Sequence, residues 1–288
     1  MDPLRLILGN IISGKKMGQQ LSQSDQEQYQ RDGFFFPLRI FSSKKAENHR
    51  KRLEKLEVLH GSMHYKVKPY LLMKSAAEIA KNPVLLDAVE SILGPDIMLW
   101  DSAYVIKEPD NTKYVSWHQD LTYWGLDSDE LVTAWVALSS VTTQNGCMKM
   151  LPGSHNKGKK NHRSTYNKDN ILHRGQELIA EIEDKQTVSV ELEAGEVSLH
   201  HGWVAHASQP NFSKERRIGL TLQYLAPSVR QKYTDSESAT LVRGQDRYGN
   251  FRSEPFCKED FAPEMITFQA EVERLKHEVY DTKSSGKN

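Results

Sequence analysis

The stretch Arg217-Ile218-Gly219-Leu220-Thr221-Leu222-Gln223-Tyr224-Leu225 decides the fold class. Ile218, Leu220, Leu222 and Tyr224 alternate with Arg217, Gly219, Thr221 and Gln223, and a strand, with its period of two, gives each set a face of its own. The apolar face packs against a cover and the other looks into a polar interior. Outward from it, the same criteria mark Ile97 to Lys107, Tyr114 to His118, Leu131 to Ser139, Met148 to Leu151, Thr187 to Leu192, Val197 to His201 and Val204 to Ala207 as strands. So many short strands in one block predict a barrel or a sandwich.

The flanks read differently. Ser24-Asp25-Gln26-Glu27 has the pattern of a capping box opening a helix that ends at Asp32-Gly33, and Phe34 to Pro37 reads as a buried extended segment. A charged helix runs from Ser42 or Ser43 to about Leu59, and Asn82-Pro83 starts a helix that Gly94-Pro95 stops. Met265, Phe268, Val272, Leu275 and Val279 recur at three-four spacing, which predicts an amphipathic helix over Ala262 to Tyr280 docked on the strands. The expected organisation is one domain: a flexible start over residues 1–20, a helical cover over 21–96, a strand core over 97–226 and a C-terminal loop and helix over 227–288. The polar insertion 153–186, with Lys157, Lys159, Lys160, His162 and Arg163, interrupts the core as a candidate lid.

Composition narrows the function. With 38 basic and 38 acidic residues the chain has no charge excess to suit nucleic acid, and no run is long enough to span a bilayer. The apolar run Leu4 to Ile12 precedes Lys15-Lys16, the wrong order for a secretory signal. Cys147 and Cys257 are too few for a disulfide framework or a thiolate cage, so a cytoplasmic location and buried thiols are expected.

The chemistry centres on Ser116-Trp117-His118-Gln119-Asp120. In extended backbone His118 and Asp120 point to one side, where an imidazole and a carboxylate can share a cation. Two His and one carboxylate on one face are the ligand set of non-haem iron oxygenases. Of the eleven histidines, His49, His60, His64 and His277 lie outside the strand block, and His155, His162 and His173 lie in the insertion, which leaves His200, His201 and His206. Strand pattern alone does not choose among the three. His206 is favoured because it shortly precedes Arg217, an inward guanidinium that a ligand carboxylate could join to the metal.

These motifs, in this order, give the chain a clear family likeness. Trp117-His118-Gln119-Asp120-Leu121, Thr133-Ala134-Trp135-Val136-Ala137-Leu138, Asn145-Gly146-Cys147-Met148, Leu151-Pro152-Gly153-Ser154-His155, Gly195-Glu196 through His206-Ala207-Ser208, and Arg216-Arg217 resemble the phytanoyl-CoA dioxygenase family of iron(II)- and 2-oxoglutarate-dependent oxygenases. The resemblance implies a double-stranded β-helix, the jelly-roll or cupin-like barrel, mainly β with flanking helices. It implies that His118, Asp120 and His206 hold Fe(II) as the catalytic centre, and that His200 and His201 are not ligands. It implies that Arg217 pairs with the distal carboxylate of 2-oxoglutarate, with Arg216 as the rival if the register slips by one, and that Ser208 and Trp135 line the cosubstrate pocket. The implied reaction consumes O2 and 2-oxoglutarate, with ascorbate as a stimulant, releases succinate and CO2, and hydroxylates an unactivated C–H bond. Retention of Asp120 disfavours halogenation.

The family name does not fix the substrate. Gln119, Tyr123, Trp124, the segment His162 to Arg174, and Arg230 form an aromatic and cationic mix that suits a small polar or anionic metabolite, such as an amino acid or an organophosphonate. An acyl-CoA or a natural-product intermediate is the alternative, and a non-oxidative cupin-type isomerase or binding protein is the reading from another class. The expected partner is the small-molecule substrate alone, with the chain as monomer or homodimer.

Overall fold

The structure, a computed structural model, describes residues 20–172 and 174–284, with the backbone alone over 279–284. The N-terminal apolar run and His173 lie outside the described residues.

Two layers face each other, antiparallel throughout except where β13 joins β12 in parallel. The larger sheet has seven strands: β1 (Phe34–Arg39), β9 (Glu196–His201), β4 (Leu131–Ala137), β11 (Arg217–Leu225), β2 (Ile97–Lys107), β12 (Ser238–Arg243) and β13 (Arg252–Ser253), in that spatial order. The smaller has four: β3 (Val115–His118), β10 (His206–Ser208), β5 (Met148–Met150) and β8 (Val188–Val190). Non-consecutive neighbours in both sheets make this a jelly roll, the mainly β barrel expected from the sequence.

The alternation in β11 does what its period predicts. Ile218, Leu220, Leu222 and Tyr224 are fully buried in the largest apolar cluster, alongside Ile79, Leu85 and Val89 from the helical cover. Val132, Ala134 and Val136 of β4 and Val197 and Leu199 of β9 join them from the same face. Fully burying a side chain of this size contributes roughly 1.5–3 kcal/mol, so the cover is held chiefly by this face. The opposite face, with Arg217, Thr221, Gln223, Thr133 and Trp135, lines the space between the sheets.

The cover comprises α1 (Gln23–Asp32), α2 (Ser43–His60), α3 (Pro69–Leu72), α4 (Lys74–Ala80) and α5 (Pro83–Leu93). α1 begins one turn-fraction earlier than expected: Ser22, not Ser24, accepts from Asp25 N, and Asp25 accepts from Ser22 N. Buried Leu21, whose backbone N–H donates to Ser91 Oγ, anchors the chain just before that cap and selects the earlier start. For α5 the cap is as expected, with Asn82 accepting from Val84 N and Leu85 N ahead of Pro83.

Several elements were not foreseen. The extended segment at Phe34 is a full edge strand paired with β9. α3 and α4 are too short to show a period, and the loop after β11 contains β12, which pairs with β2. The lid carries a hairpin, β6 (His162–Ser164) with β7 (Gln176–Leu178). A short helix α6 (Leu121–Trp124) follows the metal-ligand motif, and the terminal α7 (Pro263–Ser284) lays Met265 and Val272 against the fold. Among the described residues no helix is long and apolar enough to cross a membrane.

Candidate active site

A cavity of about 440 Å³ opens between the two sheets, within the roughly 300–1,000 Å³ common for small-molecule sites. On its smaller-sheet wall, β3 and β10 pair antiparallel with His118 directly opposite His206, so the ladder itself brings the imidazoles together, ring centres 4.1 Å apart. Asp120 arrives differently from the expectation. Its backbone is helical (φ −58°, ψ −50°), not extended, because the chain turns into α6, yet the carboxylate still meets His118 Nε2 at 3.2 Å and His206 Nε2 at 3.8 Å. One donor atom from each of the three lies within 4.8 Å of the others.

Both histidines are preset as ligands. His118 Nδ1–H donates to Ser116 O at 2.9 Å and His206 Nδ1–H to Val204 O at 3.0 Å; a carbonyl cannot donate, so each ring carries a proton there and directs Nε2 inward. Burial, reinforced by His118, pushes His206 down to about 3. Burial alone would raise the Asp120 carboxyl, but His206, His118 and His200 outweigh it and hold the group well below the usual carboxylate range. Two imidazoles and a carboxylate on one side of a cavity are the donor set that suits iron(II).

The runners-up separate cleanly. His201 faces Asp129, 3.7 Å away, and its Nδ1 accepts from Trp203 N, so it turns from the cavity. His200 lies beside the triad, Nε2 3.7 Å from Asp120 Oδ2, but neither ring nitrogen has a hydrogen-bond partner among the described residues. No carbonyl fixes its tautomer as for the other two.

Across the cavity Arg217 is almost wholly buried. Its Nη1 donates to Gly146 O, its guanidinium lies 5.2 Å from the Trp135 ring, and its Nε has no partner. Among the described residues no carboxylate pairs with it. Burial pulls its pKa down to about 10, a sign of an uncompensated cation. Two glycines make this arrangement fit. Gly146 holds φ +76° and a Cβ there would meet Gln209 O at 2.2 Å; a Cβ at Gly219 would meet the Trp135 ring at 2.0 Å. Arg216, the alternative, points outward to Glu108 and Glu57 at 2.9 and 3.0 Å, so the register assigns the cavity to Arg217.

Ser208 lines the cavity with its hydroxyl bound to Lys107 Nζ at 2.8 Å. Lys107 sits opposite Arg217 in the ladder and also donates to the Ser208 and Gln209 carbonyls; burial, then the Arg217 charge, pushes it down to about 6. Trp135 both lines the cavity and packs in an apolar cluster with Phe34 and Met150.

The remaining expected residues divide. Tyr123 and Trp124 line the cavity from α6, and Arg174 joins them from the lid. Gln119 does not: its Nε2 donates to Gly158 O and Trp203 O and its Oε1 accepts from Lys160 N, so it ties the base of the lid to the metal-ligand loop. The turn into α6 sends it away from His118 and Asp120. Arg230 is exposed and outside the lining, with its backbone N–H on Asp127. Sequence reasoning missed Lys107 and Tyr65. The Tyr65 hydroxyl is pushed up to about 12 by burial, with Arg217 opposing and Asp120 adding, although two-fifths of the residue is exposed. Only the inward phase of β2 could have flagged Lys107; Tyr65 comes from an irregular segment of the cover with φ +55°, which carries no pattern.

Fold and site together define the class: a jelly roll with a two-His, one-carboxylate face and, in the same cavity, a buried arginine that pairs with no carboxylate among the described residues. The sequence profile described as phytanoyl-CoA dioxygenase (PhyH) matches residues 29–219, and the chain belongs to that family. A probable alpha-ketoglutarate-dependent hypophosphite dioxygenase of Stutzerimonas stutzeri is 28% identical over 64% of this chain and 61% of its own. The peroxisomal phytanoyl-CoA dioxygenase of Homo sapiens is 31% identical over 49% of this chain and 43% of its own, so these matches span less than two thirds of either relative. The solved structure of the apo non-heme monooxygenase ThoJ superposes with a TM-score of 0.81 at 30% identity, covering 91% of this chain and 99% of that one.

Proposed function

We propose that the chain is an Fe(II)- and 2-oxoglutarate-dependent dioxygenase that hydroxylates an unactivated C–H bond of a small polar or anionic metabolite. The overall change is substrate C–H plus O2 plus 2-oxoglutarate to alcohol, succinate and CO2. The observation that carries this reading is the unpaired, buried Arg217 on one wall of a cavity whose facing wall holds His118, Asp120 and His206. A cupin isomerase has no use for such a cation, and a buried charge without a counter-ion costs several kcal/mol unless a ligand supplies one.

Iron(II), when bound, supplies the redox chemistry by which O2 and the 2-oxo acid are consumed. His118 and His206 offer Nε2 in tautomers already fixed by carbonyls, and Asp120 adds the negative charge. Arg217 receives the distal carboxylate through its planar fork, held in aim by Gly146 O and the Trp135 face. The Ser208 hydroxyl, which accepts from Lys107 Nζ, keeps its own O–H to donate at that end. Tyr123, Trp124 and Leu172 form an aromatic and apolar rim that keeps water from the reacting centre. A cavity of about 440 Å³ that must also hold 2-oxoglutarate suits a compact metabolite better than a long acyl chain.

The test is succinate release by purified protein with Fe(II), ascorbate, 2-oxoglutarate and O2. Slow uncoupled release in the wild type that disappears in His206→Ala supports the reading. Metal binding with no consumption of 2-oxoglutarate in any substrate pool overturns it.

A further inference from the structure

The end of the cavity away from Arg217 carries its own set of buried polar side chains. β11 turns Arg217, Gly219, Thr221 and Gln223 inward, so Gln223 lies about 20 Å along the strand from Arg217 at ~3.4 Å per residue. At the level of Gln223 the ladders align one polar row across four strands: Asp101 of β2 opposite Gln223, Gln223 opposite Thr133 of β4, and Thr133 opposite His200 of β9. All four line the cavity and all four are buried. The row ends beside the candidate metal ligands, since His200 Nε2 is 3.7 Å from Asp120.

Its members are unequal in how they are satisfied. The Thr133 hydroxyl and both His200 nitrogens have no hydrogen-bond partner among the described residues. An interior polar group is normally paired, and each one left alone costs about 1–3 kcal/mol, so a neighbouring group of this kind is expected to meet a ligand. The far end is different. Asp101 accepts from Ser102 N and from Lys276 Nζ, a lysine that α7 delivers to the cavity wall. The two side chains of this ion pair are only 13% and 11% exposed.

An ion pair on a nearly dry wall is a fixed dipole. A singly charged ligand is drawn to one partner and repelled by the other, and a neutral one gains hydrogen bonds alone. An antiparallel dipole gains from both, and the gain is large where water does not screen it. We infer that the substrate is a zwitterion of amino-acid size, its ammonium set on Asp101 and its carboxylate or phosphonate on Lys276, with Gln223 and Thr133 reading the part of the molecule that points to the metal. This deepens the proposed oxygenase reading and rests on it for the identity of the ligand as substrate. It also gives α7 a task beyond packing, since the terminal helix supplies half of the recognition pair.

The test is a melting-shift titration of the full chain with Co(II) and 2-oxoglutarate, so that no turnover intervenes. The probes are L- and D-α-amino acids, β- and γ-amino acids and aminoalkylphosphonates, each beside its N-acetyl and methyl-ester forms, with hypophosphite and phytanoyl-CoA as other classes. The inference expects at least one zwitterion to bind, with about tenfold or greater weakening when either charge is blocked, as loss of one charge-assisted contact implies. Asp101→Asn and Lys276→Gln are expected to weaken the same zwitterion by a similar factor, and Thr133→Val, which leaves the ion pair in place, by about threefold. Tightest binding by hypophosphite or the thioester, zwitterion binding indifferent to blocking, or a shift with 2-oxoglutarate but with no zwitterion would each overturn it. Absence of any shift with 2-oxoglutarate would instead remove the oxygenase reading, and zwitterion binding under that outcome would leave the recognition row standing.

Discussion

Lys68 and Arg217 are both buried cations, each 1% exposed, and they are treated in opposite ways. Lys68 Nζ lies 2.6 Å from Glu254 Oε1 and donates to Ser238 O, while Tyr70, Ser238 and Thr240 donate to the same carboxylate. Every charge there has its counter-charge, and the cluster fastens β12 and the segment after β13 to α3. Arg217 has one carbonyl, one aromatic face and no carboxylate among the described residues. Lys68 is neutralised inside the fold, whereas Arg217 is the cation that the proposed function leaves to a ligand. Burial of an unpaired charge is tolerated where binding repays it.

The contrast breaks first at Lys68. Glu254→Leu leaves that ammonium buried and alone, and is expected to lower stability by about 3–5 kcal/mol in denaturant unfolding. Arg217→Met should do the reverse, because it removes an uncompensated charge and keeps an apolar stem: stability within about 1 kcal/mol of wild type, or above it. A large loss there would mean that Arg217 is structural after all. Gly219→Ala sharpens the picture at the level of support. Its Cβ would strike the Trp135 ring, so the indole must move off Arg217, at about 1–3 kcal/mol in stability, with weaker 2-oxoglutarate binding. A further effect is in acid. Burial holds His49 and His201 down to about 4, so below the ordinary value near 6.5 the unfolded chain takes up protons that the folded chain refuses. Melting temperature should fall as pH drops from about 6.5 towards 4 and should be insensitive to these groups above that window.

Legibility followed periodicity. β11 could be read because its alternation is nearly perfect over Arg217 to Gln223, and its inward phase picked out Arg217, Thr221 and Gln223 together. The candidate metal ligands could be read because a ladder and a tight turn place them by local rules. Gln119 could not: it sits between two ligands, and only the turn into α6 decides that its amide serves the lid. Lys276 was on a helix whose apolar spacing was clear, but which polar residue reached the cavity depended on how α7 docks. Lys68 and Glu254 are far apart in the chain, so their pairing is a tertiary fact with no sequence signal.

The most direct test of the account is the affinity of 2-oxoglutarate for Co(II)-loaded protein, measured by calorimetry on wild type, Arg217→Met and Arg216→Met. We expect Arg217→Met to weaken binding by about 30-fold or more, as truncating one member of a buried charge pair does, with metal affinity retained and Arg216→Met near wild type. Equal affinity in wild type and Arg217→Met would contradict the claim that this open cation is the seat of the cosubstrate.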